Sequence, residues 1–156
     1  MKKKIIEVST DTNIGGAGKC LITLLENFDR EQFDVSVILP PNSLLKPHIE
    51  RLGTEVIEVS SIADKSFDIK AIRLLIKLFK ERKPDLVHTH ASMSARIAAK
   101  FSKIKVIYTR HSVFEPSPKI SKGIGKIING AINNYFADGI IAVAEAAKEN
   151  LVTTGV

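Results

Sequence analysis

With 156 residues, 44% of them hydrophobic, the chain has enough apolar material for one globular core and too little length for two comfortable domains. Charged residues at 26% and the lack of any low-complexity tract exclude a disordered chain. A net charge of +6 points to an anionic partner; with 6% aromatic residues, no tryptophan and no zinc-finger spacing, nucleic acid is set aside in favour of phosphorylated ligands or acidic lipid.

The basic start Met1-Lys2-Lys3-Lys4 precedes an apolar stretch that gives way at Glu7, so no signal-peptide core is expected. No run approaches the roughly 20 apolar residues of a membrane span. The single cysteine, Cys20, permits no intrachain disulfide and fits a reducing compartment, the cytoplasm. Lys4 to Ser9 reads as a first strand, followed by a glycine-rich turn and a helix from about Ala17 to Phe28. A second strand, Phe33 to Leu39, is stopped by Pro40-Pro41. A short helix over Leu44 to Leu52 leads to a third strand, Glu55 to Val59. Helical spacing runs from Asp68 to Arg82 and ends at Pro84. Leu86 to Thr89 is a fourth strand, Ser92 to Phe101 a helix, and Lys105 to Thr109 a fifth strand. A helix from Ile120 to Phe136, a sixth strand from Gly139 to Val143 and a helix beginning near Glu145 complete the chain.

Strand–helix alternation predicts an α/β fold: a doubly wound, mainly parallel Rossmann-like sheet with helices on both faces and strand order near 3-2-1-4-5-6. Ligands of such sheets gather beyond the carboxyl ends of the strands, so the residues just after each strand are the candidates.

After the first strand stands Asn13-Ile14-Gly15-Gly16-Ala17-Gly18-Lys19. It fails as a Walker loop, with Asn13 where the first glycine belongs and Cys20 where the hydroxyl belongs. It fails as a dinucleotide fingerprint at Leu21 or Ala17, depending on the starting glycine. Two readings remain: a tight turn into a helix, or backbone N–H groups turned toward a phosphate. After the fourth strand, His88 and His90 share a face. Zinc would need a third ligand, and no nearby cysteine or carboxylate is evident in sequence, so no metal is expected. His88 reads as a packed or backbone-bonded ring and His90 as nearer the cleft. After the fifth strand, Arg110 and His111 together suit an anionic ligand or a hydroxyl that needs orienting, although Arg110 also reads as a surface charge.

Three segments together resemble the N-terminal domain of retaining GT-B glycosyltransferases of the group 1, or family 4, type. They are Gly15-Gly16-Ala17; Pro84-Asp85-Leu86-Val87-His88-Thr89-His90 with Tyr108-Thr109-Arg110-His111; and Ala137-Asp138-Gly139-Ile140-Ile141-Ala142-Val143-Ala144-Glu145 continuing to Val156. The resemblance implies an acceptor-side domain over residues 1–156, with the donor-binding domain outside this chain. It implies a nucleotide-diphospho-sugar donor, a glycan or lipid-linked acceptor, and no metal or other cofactor. His111 matches the family's cleft histidine, the candidate catalytic residue. Gly15 and Gly16 match its glycine loop, and Ala17, Lys19, His90 and Arg110 join them as candidate substrate-binding residues. Ala144 departs from a serine common in the family.

On the Asp68–Arg82 helix, Lys70, Arg73, Lys77 and Lys80 fall on an arc of roughly 80° at about 100° per residue. Ile69, Ile72, Leu75, Ile76 and Phe79 form the expected core face. The basic arc is either a solvated side or a docking edge for an anionic membrane. Lys119, Lys122 and Lys126 mark a similar edge on the later helix, which Gly123, Gly125 and Gly130 are expected to weaken. The reading is a cytoplasmic glycosyltransferase domain, peripheral to the membrane, acting in cell-envelope glycan or glycolipid synthesis. A nucleotide-sugar epimerase half or a non-catalytic Rossmann-like binding domain are the rivals.

Overall fold

A computed structural model describes residues 1–62 and 67–156. The elements are β1 (Lys3–Ser9), α1 (Gly16–Glu26), β2 (Phe33–Leu39), α2 (Lys46–Arg51), β3 (Glu55–Glu58), α3 (Ile69–Arg82) and β4 (Leu86–His90), then α4 (Met93–Phe101), β5 (Lys105–Arg110), α5 (Pro118–Ser121), α6 (Gly123–Tyr135), β6 (Gly139–Ala142) and α7 (Glu145–Thr153). The six strands form one parallel sheet in the order β3-β2-β1-β4-β5-β6, as the alternation predicts.

Two core clusters lie on opposite faces of the sheet. On one face Ile6, Val8, Val87 and Val106 pack against Ala71, Leu75 and Phe79 of α3 and Ala95, Ala98 and Ala99 of α4. On the other, Val37 and Leu39 pack against Leu21 and Leu25 of α1 and Leu45 and Ile49 at α2. Right-handed crossovers require this division: moving from β1 outward to β3 places helices on one face, and returning to β4 and onward places them on the other. Among the described residues the β5–β6 half of the α1–α2 face carries no helix, and Ile141 and Val143 there are about half exposed.

Acidic residues ahead of two strands set the register. Asp85, just before β4, accepts hydrogen bonds from the Lys4 backbone N–H and the Lys3 ammonium, both at 2.9 Å. Asp138, just before β6, accepts from the Val106 N–H at 2.9 Å. In both places the aspartate's own N–H donates to the same neighbouring residue's carbonyl. These two family-like aspartates therefore clamp strand starts, far from the carboxyl edge.

The structure differs from the sequence reading in several local features. The helix expected over Ile120–Phe136 is two, α5 and α6, because Lys122 between them is extended and Gly123, which opens α6, adopts a left-handed φ of 54°. α3 ends on Lys83, also left-handed, one residue before Pro84. Ile69 is exposed instead of lying in the α3 core face, while Asp68 caps that helix by accepting from the Ala71 N–H. Gly125 and Gly130 are close-packing positions: a Cβ at Gly125 would strike the Lys119 carbonyl, and one at Gly130 the Gly155 carbonyl. The cost in helix propensity is exchanged for backbone contact.

Candidate functional site

The register of the sheet builds the site. Glu7 of β1 lies beside His88 of β4, and His90 lies beside Thr109 of β5. Since side chains alternate along strands, Glu7, His88, His90 and Thr109 all project to the face that carries α1. Ile6, Val8, Thr89 and Tyr108 take the other.

Glu7 is the centre of this patch and is only 1% exposed. His88 Nδ1 stands 2.9 Å from Glu7 Oε2, and His90 Nε2 stands 3.0 Å from the same oxygen. His88 Nε2 is 2.6 Å from Thr109 Oγ1, and His90 Nδ1 is 2.7 Å from His111 Nε2. The three rings form a column, with centroids 4.5 Å apart for His88–His90 and 5.0 Å for His90–His111. Burial strongly disfavours the Glu7 charge, yet the hydrogen bonds from His88 and His90 outweigh it and hold the carboxyl below its ordinary pKa. His111 is pushed down to about 4, first by burial and then by His90 and His88, so its ring is neutral near pH 7.

Glu7 corrects the sequence reading: a carboxylate does stand beside the two histidines, and it was hidden because it lies 81 residues away in sequence. Glu7, His88 and His90 are the set with metal-site composition among the described residues. Their N···O separations of 2.9 and 3.0 Å are hydrogen-bond lengths, whereas donors around a tetrahedral zinc with bonds of 2.0–2.1 Å stand roughly 3.3 Å apart. The geometry suits shared protons better than an ion. Of the two alternatives for His88 the packed ring is the one found, and its bonds go to the side chains of Glu7 and Thr109.

His111 is placed between two hollows. One, of about 690 Å³, lies along α1 and is mainly apolar, bordered by Lys19, Cys20, Leu24, His88, Ile141 and Val143. The other, of about 500 Å³, lies under the glycine loop and is bordered by Asp11, Asn13, Gly15, Gly16, Ala17 and Ser112. Gly15 is the extended residue preceding α1, and no side chain caps that helix start. The first N–H groups of α1 therefore have no side-chain acceptor, and Gly16 and Ala17 that carry them border this hollow.

Of the residues singled out in sequence, Gly15, Gly16, Ala17, Lys19, His90 and His111 thus converge on this edge. His90 is 6% exposed, borders the larger hollow and is joined there to His111. Arg110 does not join them. It lies on the Tyr108 face of β5, where its guanidinium donates to the Ser112 carbonyl at 2.8 Å, Tyr108 Oη at 3.1 Å and Asn150 Oδ1 at 3.0 Å. Its guanidinium carbon also lies 4.1 Å from the centre of the Phe114 ring. These bonds make Arg110 a brace between β5, the following loop and α7.

Comparison with known proteins agrees with this architecture. A family model described as Glycosyltransferase Family 4 matches residues 14–156. No curated protein matches the sequence. Among solved structures, a glycosyltransferase from Rickettsia africae is similar with a TM-score of 0.75 and 20% identity, covering 97% of this chain and 39% of its own. Anabaena HepE, solved with UDP, gives 0.70 and 20%, covering 99% and 41%. A UDP-GlcNAc 2-epimerase from Neisseria meningitidis, solved with UDP-GlcNAc, gives 0.62 and 16%, covering 98% and 43%. At these identities the likeness shows the fold, and the chain spans less than half the length of each of these proteins.

Proposed function

The chain belongs to glycosyltransferase family 4, and on that premise we propose that it is the acceptor-side half of an enzyme that moves a sugar from a nucleotide-diphospho-sugar to a hydroxyl. The observation that carries this reading is the meeting of a neutral His111 with the glycine loop at the carboxyl edge, between two hollows. Solved relatives of this fold hold UDP or UDP-GlcNAc, which supports a uridine nucleotide-sugar as the donor.

Glycosyl transfer passes through an oxocarbenium-like state, so the protein acts by placing the hydroxyl and balancing charge. The uncapped start of α1 supplies positive potential on the loop side for a diphosphate, and Lys19 adds a cation on the neighbouring hollow along α1. His111 supplies a ring nitrogen for a sugar hydroxyl. No metal or other cofactor enters this scheme.

The acceptor we propose is lipid-linked, on a cell-envelope glycan or glycolipid, reached by docking on anionic lipid. No helix among the described residues is long and apolar enough to cross a membrane. The docking surface is α6 more than α3. Ile124, Ile127, Ile128, Ile132 and Tyr135 are all exposed along one stripe of α6, with exposures from 44% to 76%. Lys119 and Lys122 flank it, and no acidic residue lies between Pro116 and Ala137. On α3 the basic arc is exposed but most of its apolar residues are occupied in the core.

Transfer is tested by assaying the longer polypeptide against a panel of UDP-, GDP- and ADP-sugars with extracted lipid acceptors. Release of nucleotide with sugar incorporated into lipid is the expected result. Interconversion of the nucleotide-sugar without transfer would establish the epimerase reading instead.

A further inference from the structure

The direction of the hydrogen bonds in the buried column decides which face His111 shows to the cleft. A carboxylate only accepts, so His90 presents Nε2–H to Glu7. A neutral His90 then carries its lone pair on Nδ1, and the atom opposite, His111 Nε2 at 2.7 Å, must be the N–H donor. His88 completes the arrangement in the same sense, with Nδ1–H donated to Glu7 and Nε2 accepting the Thr109 hydroxyl. A charged His90 would reverse the last link and set a buried cation against the stacked His111 ring 5.0 Å away and the tilted His88 ring 4.5 Å away.

We propose that Glu7 and His90 are positioning residues that hold His111 in its Nε2–H tautomer, so that Nδ1 faces the cleft as a hydrogen-bond acceptor for a hydroxyl. Nδ1 has no hydrogen-bond partner among the described residues. A neutral ring with only a lone pair exposed takes an O–H and rejects a phosphate or carboxylate oxygen, which has no proton to give. His111 therefore selects a sugar or acceptor hydroxyl, while the diphosphate is left to the glycine loop. The carboxylate–imidazole–imidazole order resembles the way a buried acid fixes a catalytic histidine's tautomer, extended by one ring.

The depressed pKa of His111 agrees with this arrangement, for a ring kept neutral retains its lone pair. The ionisable groups facing it are Glu7 on β1, His88 and His90 on β4, Lys19 and Cys20 on α1 and Asp11 in the loop. Of these only His90 touches His111 directly, so its removal isolates the effect.

The identity of the hydroxyl rests on the glycosyltransferase reading; the tautomer does not. Nitrogen-15 histidine spectra of the 156-residue chain test the tautomer directly. The expected result is a pyrrole-like Nε2 and a pyridine-like Nδ1 for His111, unchanged from pH 8 to pH 5. In His90→Phe the titration of His111 should move upward by roughly a unit or more toward the ordinary histidine range, with the tautomer preference lost. Glu7→Gln, which keeps shape but can donate as well as accept, should introduce a second, Nδ1–H population, and it decides the matter if His90→Phe does not fold. A protonated Nδ1 in the wild type, or a His111 signal unaffected by both substitutions, overturns the proposal. In the longer polypeptide, Glu7→Gln should lower kcat about tenfold or more with KM little changed, as for loss of one oriented contact. Normal spectra without any sugar transfer would sink the glycosyltransferase reading alone, and full kcat in Glu7→Gln would sink the positioning role alone.

Discussion

His90 Nδ1 and His111 Nε2 stand 2.7 Å apart, joining the end of β4 to the first residue beyond β5. That link places an imidazole at the carboxyl edge with one nitrogen already engaged and the other free to meet a ligand. Replacing His111 with alanine should cut turnover of the proposed transferase a hundredfold or more. Because His111 lies at a partly open edge, folding stability should change by no more than about 1 kcal/mol. Turnover and urea midpoints measured on the same variant check both statements. His88→Ala, by contrast, should chiefly destabilise the fold, since it leaves Glu7 and Thr109 each short of a partner.

Acid should weaken the fold through the same column. The folded pKa of His111 is lowered to about 4 from an ordinary 6.5. Between those values the unfolded chain binds a proton that the native state does not, so stability falls as pH drops from about 6.5 to about 4. Glu7, held below its ordinary 4.5, adds a second loss as pH falls through its lowered folded value. Urea midpoints across pH 7 to 4 should therefore decline in the wild type. His111→Ala should flatten the part between pH 6.5 and 4; equal slopes in both proteins would refute the assignment.

Gly130 meets the carbonyl of Gly155 with no room for a methyl group, where α6 passes the end of the chain. Gly130→Ala should destabilise the chain by about 1–3 kcal/mol, although alanine is the better helix former. Gly15→Ala, which meets no atom within 4 Å, serves as the control and should leave thermal melting nearly unchanged. A melting temperature that rises in Gly130→Ala would show that the backbone contact does not form.

Arg96 is buried and donates to the Asn133 and Phe136 carbonyls at the end of α6 and to Asn133 Oδ1, while its guanidinium carbon lies 4.6 Å from the centre of the Tyr108 ring. Burial lowers its pKa to about 10, so it remains charged at neutral pH. Arg96→Met leaves those helix-end carbonyls without donors and should cost about 2–4 kcal/mol. Calorimetry on the purified variant measures that loss, and a cost below about 0.5 kcal/mol would show that water replaces the arginine.

Vesicle co-sedimentation separates the two basic helices. Ile124→Ser with Ile128→Ser on α6 should abolish most binding to anionic vesicles, because both side chains lie exposed on its stripe. Changing Lys70, Arg73, Lys77 and Lys80 to glutamine should reduce binding only in low salt, as screened charge contacts do. Wild-type protein that fails to bind anionic vesicles at any salt would remove membrane docking.

Strand–helix alternation, the strand order and the positions of Gly15, Gly16, His90 and His111 were legible in the sequence. Each depends on local spacing: periods of two and about 3.6, and turn residues at strand ends. The crossover rule then turns those local elements into one sheet with a defined edge. Glu7 was not legible as part of the site, because a lone carboxylate inside an apolar run becomes a histidine partner only once β1 and β4 lie side by side in a particular register. Arg110 read as a cleft residue because its neighbour is one, yet strand alternation turns it to the opposite face, where Asn150, 40 residues on, receives it. Gly125 and Gly130 looked like weak points of a helix until backbone packed against them. In each case the deciding partner is distant in the chain, and only the packed sheet and its helices bring the two within the few ångströms over which hydrogen bonds and steric contact act.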